Sequence, residues 1–349
     1  MLKFSYQANP VPWVAAAWSL MLGACSGAGE PTPGVTASPA ASILASERPS
    51  SSQQPSPTAR PSPIDRAATI VASIPFDGLA QGAHIALSDD SVWVRFVDGS
   101  VARVDAKTNT IVATIPVGTG EFGSLAVGEG AVWVTTFDED KVSRIDPATN
   151  KVVAEVAVGT NPEGIAVTPG AVWVSNHRAG SISRIDPATN TVVATITFGK
   201  TGPSGPKEIE ISHDNLWTSV PNMGFVVRID PATNKVVATI KVVAVENLVI
   251  GSEAVYAFGF GGQLYEIDAV TNEVARKFRP DQAPWTFHAG AYWGSDGKDV
   301  LRLAPNTFTP IERWRVAGKQ TGYADLAFGD GSVWLLTDAA SLLHIELQP

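Results

Sequence analysis

Apolar and polar positions fall into short runs with strand spacing and never into a helical period. Gly164-Ile165-Ala166-Val167 and Ala171-Val172-Trp173-Val174 flank a Thr168-Pro169-Gly170 turn, and compact apolar runs bounded by turn residues predict strands. Ser181-Ile182-Ser183-Arg184-Ile185-Asp186 alternates with period two, as a half-buried strand does. Pro187-Ala188-Thr189-Asn190 then supplies a turn, Pro fixing one dihedral and Asn tolerating left-handed backbone, before the β-rich run Val192-Val193-Ala194-Thr195-Ile196. Four strands joined by short loops are the predicted unit.

That unit is copied along the chain. Arg144-Ile145-Asp146-Pro147-Ala148-Thr149-Asn150-Lys151 recurs as Arg184 to Thr191 and as Arg228 to Lys235. Aromatic anchors follow at Trp93, Trp133, Trp173, Trp217, Tyr256, Trp293 and Trp334, about forty residues apart, a period that means a propeller, solenoid or array. Antiparallel four-stranded units select the propeller, whose radial packing leaves only short protected edges. The expected fold is all-β, a seven-bladed β-propeller. Its seventh unit has a third strand, Leu342-Leu343-His344-Ile345-Glu346, and no fourth, whereas Thr69–Pro75 matches Thr110–Pro116 at all but one position. An N-terminal strand is therefore expected to close the ring, removing an edge that invites aggregation.

The Ala-Val-Trp-Val strand, the Asp-Pro-Ala-Thr-Asn turn and the Val-Val-Ala-Thr-Ile strand resemble the YVTN-type β-propeller repeat family. The resemblance spans about Thr69 to Leu347 and implies the same fold in an extracytoplasmic protein, with little about activity. Departures come late. Ala304 stands where other units have Asp105, Asp146, Asp186, Asp230 and Asp268.

Ahead of the repeats, Lys3 and the apolar run Val11–Leu22 lead into Gly23-Ala24-Cys25, the anatomy of a signal peptide and too short for a stable membrane span. Leu22-Gly23-Ala24-Cys25 resembles the bacterial lipobox, which implies lipid attachment at Cys25. This is the sole cysteine, so disulfides and paired-cysteine chemistry are excluded. From Ser26 to Arg66, 17 of 41 residues are Pro or Ser, a composition that cannot bury enough apolar surface to fold. As a flexible chain it would span roughly 35 Å. The expected organisation is a signal over 1–24, a tether over 25–66 and one propeller over 67–349. Removal of Lys3 with the signal leaves 24 basic and 34 acidic side chains, a formal charge of −10. A net acidic surface argues against nucleic acid or anionic lipid as a partner, leaving the membrane contact to the anchor.

In an up-and-down blade the first-to-second and third-to-fourth turns share one face, and here they are near copies. The other face carries the second-to-third turns and the links between blades, and these diverge: Phe137-Asp138-Glu139-Asp140, Asn176-His177-Arg178 and Pro221-Asn222-Met223. Divergent loops on a rigid scaffold are where binding groups concentrate. Nine residues before each anchor lie His84, Ser124, Gly164, Glu208, Asn247, Pro284 and Asp325, which start the innermost strands and ring the mouth of a central channel. Glu163, Lys207 and Glu246 precede three of them, and Asn176 and Asp296 end second strands. The ligand-binding candidates are accordingly His84, Glu163, Asn176, His177, Lys207, Glu208, Asn247, Asp296 and Asp325, with Glu208 and Asp325 expected in solvent. Oxygen ligands at Glu163, Glu208, Glu246 and Asp325 would suit a hard cation, but they sit on separate blades, and neither metal nor cofactor is predicted. The repeated arginines Arg103, Arg144, Arg184, Arg228 and Arg302 are expected in blade-to-blade ion pairs or on a solvated face, and the Trp series between blades.

Two function classes follow. The first is a membrane-tethered, monomeric, non-enzymatic binding or scaffold module for an envelope protein, peptide or glycan. The second comes from a more distant similarity to streptogramin (virginiamycin B) lyases, propellers whose chemistry implies histidines and a carboxylate converging with a metal ion. Here His213 falls in a turn on the opposite face, His344 replaces a repeat arginine, and His288 ends its strand away from the mouth. Only His84 and His177 remain near it, two blades apart.

Overall fold

The computed structural model describes residues 62–77, 82–120, 122–198, 205–212, 214–243, 245–259, 261–316, 323–329, 331–338 and 340–348. The segments expected to be a signal and a tether, up to residue 61, with Cys25 among them, lie outside the described residues, as does His213. The chain is a seven-bladed β-propeller. Blade three shows the unit: Pro162–Thr168, Ala171–Asn176, Ser181–Asp186 and Thr191–Thr197 pair antiparallel in that order. Five blades are four-stranded sheets of this kind, in chain order from the innermost strand outward.

Blades six and seven are joined through the N-terminal strand Ile64–Pro75 into one eight-stranded sheet. Its second part does what the repeat predicts. Ala68 to Pro75 pairs antiparallel with Ser341–Leu347 and becomes the outer strand of blade seven. Its first part was not foreseen: Ile64 to Ala67 pairs parallel with the outer strand of blade six, Ile64 opposite Glu312 and Ala67 opposite Arg315. Side chains explain the choice of partner. Arg66 Nε donates to Glu312 Oε1 at 2.7 Å, Arg315 reaches Asp65 Oδ2 at 2.8 Å, and the Arg66 guanidinium lies 5.9 Å above the Trp314 ring. Blades one to four have Ala113, Ala154, Ala194 and Ala238 where blade six has Glu312, and blade five has Arg276, so among these strands Glu312 alone offers Arg66 a carboxylate.

The core lies between blades. Each hydrophobic cluster takes residues from neighbouring sheets, for example Trp93 and Val101 of blade one with Leu125 and Val132 of blade two. Trp93, Trp133 and Trp173 are fully buried, as the repeat implied, but Trp293 is only partly covered, and Tyr256, Tyr292 and Phe308 form the seam between blades five and six. Burying each anchor removes roughly 150–250 Å² from water, the main source of cohesion between sheets.

Candidate functional site

The repeated turns explain themselves chemically. Asp105, Asp146, Asp186, Asp230 and Asp268 each accept backbone N–H groups of the turn that follows. Where the shift is resolved, these bonds hold the carboxyl below the usual range, as at Asp146. The turn ends on Asn109, Asn150, Asn190, Asn234 or Asn272, all left-handed with φ between 55° and 59°. At the preceding arginine of each third strand the ladder carries a bulge, which re-aims the side chain. Arg103, Arg144, Arg184 and Arg228 then stack over their own Trp at 5.1–5.4 Å and donate to the turn Asn of the next blade at 2.8–3.0 Å. The blade-to-blade role is as expected, but the bonds are cation–π contacts and hydrogen bonds rather than ion pairs.

Blade five has Glu266 at the arginine position, and the turn it would reach, after Ala304, lacks the Asp; Glu266 pairs with Arg276 instead. Arg302 of blade six has no turn ahead of it, because the closing strand replaces it, and it binds Glu312 at 2.8 Å. The recurring polar side chains of the turn face are thus engaged in clamps, and Val270, 86 % exposed in the blade-five turn, is the exception to that pattern.

At the channel mouth the innermost strands of neighbouring blades touch. Hydroxyls two residues after the Trp anchors tie them together. Thr135 Oγ1 receives the N–H of Ser124 at 2.7 Å and reaches Glu163 O in the next blade at 2.9 Å. Ser175 receives the N–H of Gly164 at 2.7 Å and donates to Lys207 O.

Two predicted candidates prove to belong to this framework. Asp325 is only 1 % exposed; it accepts the N–H of Ile85 in blade one at 2.9 Å and that of Leu326 at 2.7 Å. Burial pushes its carboxyl up to about 8 despite those two bonds. Glu208 keeps some access to the channel, yet surrounding protein pushes it up to about 8 as well, with the N–H of Leu248 opposing and Glu163 and Asp325 adding to the rise. Both carboxyls therefore reach backbone N–H groups of the next blade with values raised above the usual carboxylate range, and the expectation of fully solvated acids is corrected.

Asn176 is also structural: fully buried, it accepts the N–H of Gly159 and donates to Ser181 and Ser183. Asp296 is exposed in a turn, accepting the N–H groups of Lys298 and Asp299, 3.7 Å from Arg313 on the perimeter side of its blade. His84 is buried opposite Arg95, and burial, with Arg95 adding to it, pulls it down to about 3. Asn247 is half-buried at a bulge of its innermost strand.

Only one group of candidates converges in partial contact with solvent. Glu163 Oε2 lies 3.4 Å from His177 Nδ1 and Glu163 Oε1 4.0 Å from Lys207 Nζ, bringing blades three and four together at the mouth. In blade two, Phe122 is 45 % exposed ahead of the innermost strand and tilts against Phe137 at 5.3 Å. Among the described residues no group of three His, Cys, Asp or Glu side chains is placed to hold a metal ion. Sequence reasoning missed Arg95, which is 1 % exposed at the mouth end of blade one. The signal was available: the sibling positions are Thr135, Ser175, Ser219, Phe258, Ser295 and Leu336, and Arg95 is the one charged residue among them.

No family model matches the sequence, and no curated protein matches it as a relative. Among solved structures the fold is similar to virginiamycin B lyase from Staphylococcus aureus, at 16 % identity over 80 % of this chain and 100 % of that one, with a TM-score of 0.66. It is similar to a streptogramin B lyase at 17 % identity over 80 % and 98 %, TM-score 0.64. BamB from Moraxella catarrhalis follows at 15 % identity over 80 % and 100 %, TM-score 0.55. At such identities the likeness shows the propeller fold alone.

Proposed function

We propose that this chain is a lipid-anchored, extracytoplasmic propeller that works as a non-enzymatic binding or scaffold module, holding an envelope protein, peptide or glycan on its channel-mouth face. The contrast between the two faces supports this reading. On one, Asp, Asn, and Arg or His recur and are consumed by clamps between blades. On the other, loops differ from blade to blade and expose Phe122, Met223 and Val243, and Glu163 meets His177 and Lys207. Apolar and charged groups offered together on a rigid scaffold are what recognition requires. The tether would end at Pro63, since Ile64 already belongs to the closing strand.

A photo-crosslinking residue placed in living cells at Phe122 or Met223 tests it, with Thr149 and Thr189 as turn-face controls. Adducts from the first pair alone are expected. Identical patterns from both faces would reject the mouth as the binding surface.

The second reading, a streptogramin-lyase-like lyase, has one contact in its favour, Glu163 against His177. The residues do not fit its metal: no suitable cluster exists among those described, His84 is buried, and His344 is engaged between blades. Incubation with magnesium and quinupristin is expected to leave the ring closed. Turnover that disappears in His177→Ala would replace the binding reading.

A further inference from the structure

Arg95 is a buried cation whose partners are incomplete. Its Nη2 donates to Gly120 O at 2.8 Å and Phe122 O at 2.7 Å, while Nε and Nη1 have no hydrogen-bond partner among the described residues. No ion pair reaches it among the described residues; Asp98 and Asp138 act only through space, and burial still pulls its pKa down to about 10. A buried charge with unmatched donors is costly until an anion completes it.

Gly123 is the glycine that makes room for this side chain, while Gly118 and Gly120 back onto Glu139 and Asp138. Gly118, Gly120 and Gly123 have φ of 134°, 141° and 133°, and a Cβ at Gly123 would lie 3.0 Å from Arg95 Nη2 and 2.7 Å from Thr135 O. Directly beside these glycines, Phe122 presents an exposed ring braced by Phe137. Because both Nη2 hydrogens are committed to the loop, Nε and Nη1 face opposite flanks of the guanidinium. A ligand must therefore meet one nitrogen at a time, which suits a small carboxylate oxygen better than a group needing a two-pronged fork.

We propose that Arg95, with the ring of Phe122 beside it, is a receptor for a carboxylate carried next to an aromatic or aliphatic group, such as the C-terminus of a peptide ending in an apolar residue. The proposal deepens the binding reading by naming the ligand's chemistry, and it rests on that reading only for the face used. Nε and Nη1 are both covered by protein, and the neighbouring glycines lend the backbone there the freedom to give way to a ligand.

The test uses the full chain and two probes, N-acetylphenylalanine and its uncharged amide, with binding read by calorimetry and by the Nε–H resonance of Arg95. The carboxylate is expected to move that resonance and to bind about tenfold or more tightly than the amide, as a charge-assisted contact implies. Arg95→Thr installs the repeat's own residue and should fold, lose the carboxylate preference and keep its midpoint. Equal binding of the two probes, an unmoved resonance, or unchanged carboxylate preference in Arg95→Thr each overturns the proposal. If Arg95→Thr fails to fold, the probe pair on the unaltered chain still decides. Carboxylate binding without any mouth-face adduct in cells would keep this site and reject the binding module; adducts unchanged in Arg95→Thr would do the reverse.

Discussion

His344 of blade seven holds Asn109 of blade one, with Nδ1 2.7 Å from Oδ1, while its ring stacks on Trp334 at 4.1 Å. It does with an imidazole what Arg103, Arg144, Arg184 and Arg228 do with a guanidinium at the next seams. The seam across which the ring closes is thus the one whose clamp can change charge near neutral pH.

Burial lowers the His344 pKa below its ordinary value. A group depressed in the folded state takes up its proton first in the unfolded chain, so its contribution is present above about pH 6.5 and lost as pH falls below that. His344→Arg should therefore lose less stability than the natural chain between about pH 7 and pH 5, read as the shift in urea midpoint. Parallel curves for the two proteins would show that this seam does not sense pH.

Asp325 has the opposite sign. Its folded carboxyl is raised to about 8, so its contribution is complete below about pH 4 and lost as pH rises towards 8. Asp325→Asn should gain on the natural chain as pH rises through that window, by at most about 1.4 kcal/mol per pH unit. The variant's amide supplies one acceptor for two N–H groups, so at acid pH it should be the less stable protein. A constant difference in unfolding free energy across the window would contradict the inter-blade role.

The closing strand predicts graded losses. A chain beginning at Ala68 keeps the blade-seven pairing and lacks the parallel staple, whereas one beginning at Phe76 lacks both. Their thermal midpoints should fall in that order, the second chain aggregating. Arg66→Ala should cost about 1–2 kcal/mol, since Glu312 retains Arg302. If the Ala68 chain melts with the natural one, the parallel segment contributes nothing.

Anchoring is predicted by Leu22-Gly23-Ala24-Cys25. A labelled fatty acid should enter the natural protein, and Cys25→Ala should appear in the soluble extracytoplasmic fraction. Unlabelled natural protein would remove the lipid from the proposed function.

The repeat made the fold legible because each strand and turn is written several times, and copies such as Asp146 to Asn150 and Asp186 to Asn190 differ at no position. Glu163, His177 and Lys207 were likewise within reach, since repeat register places strand starts together. Register does not reveal depth. Glu208 and Asp325 look like solvated acids in a list of strand starts, but the next blade's Leu248 and Ile85 supply N–H groups that draw them into the framework. Asn176 was misplaced for the same reason, its partners Ser181 and Ser183 lying in a neighbouring strand. The parallel staple was invisible because it depends on Glu312 and Arg315 in a blade that matches the repeat poorly.

The closing strand also fixes the order of manufacture. Ile64–Pro75 leaves the ribosome before any blade, yet Arg66 must find Glu312 across 246 positions of chain, and the rest of the strand must await Ser341–Leu347. Pairings so distant are slow to form. Nascent chains cut short anywhere before blade seven would keep an unpaired leading strand and an open ring, a visible mark of incompleteness for proteases and chaperones. Closure of the ring therefore waits on the synthesis of Ser341–Leu347, however early the leading strand emerges.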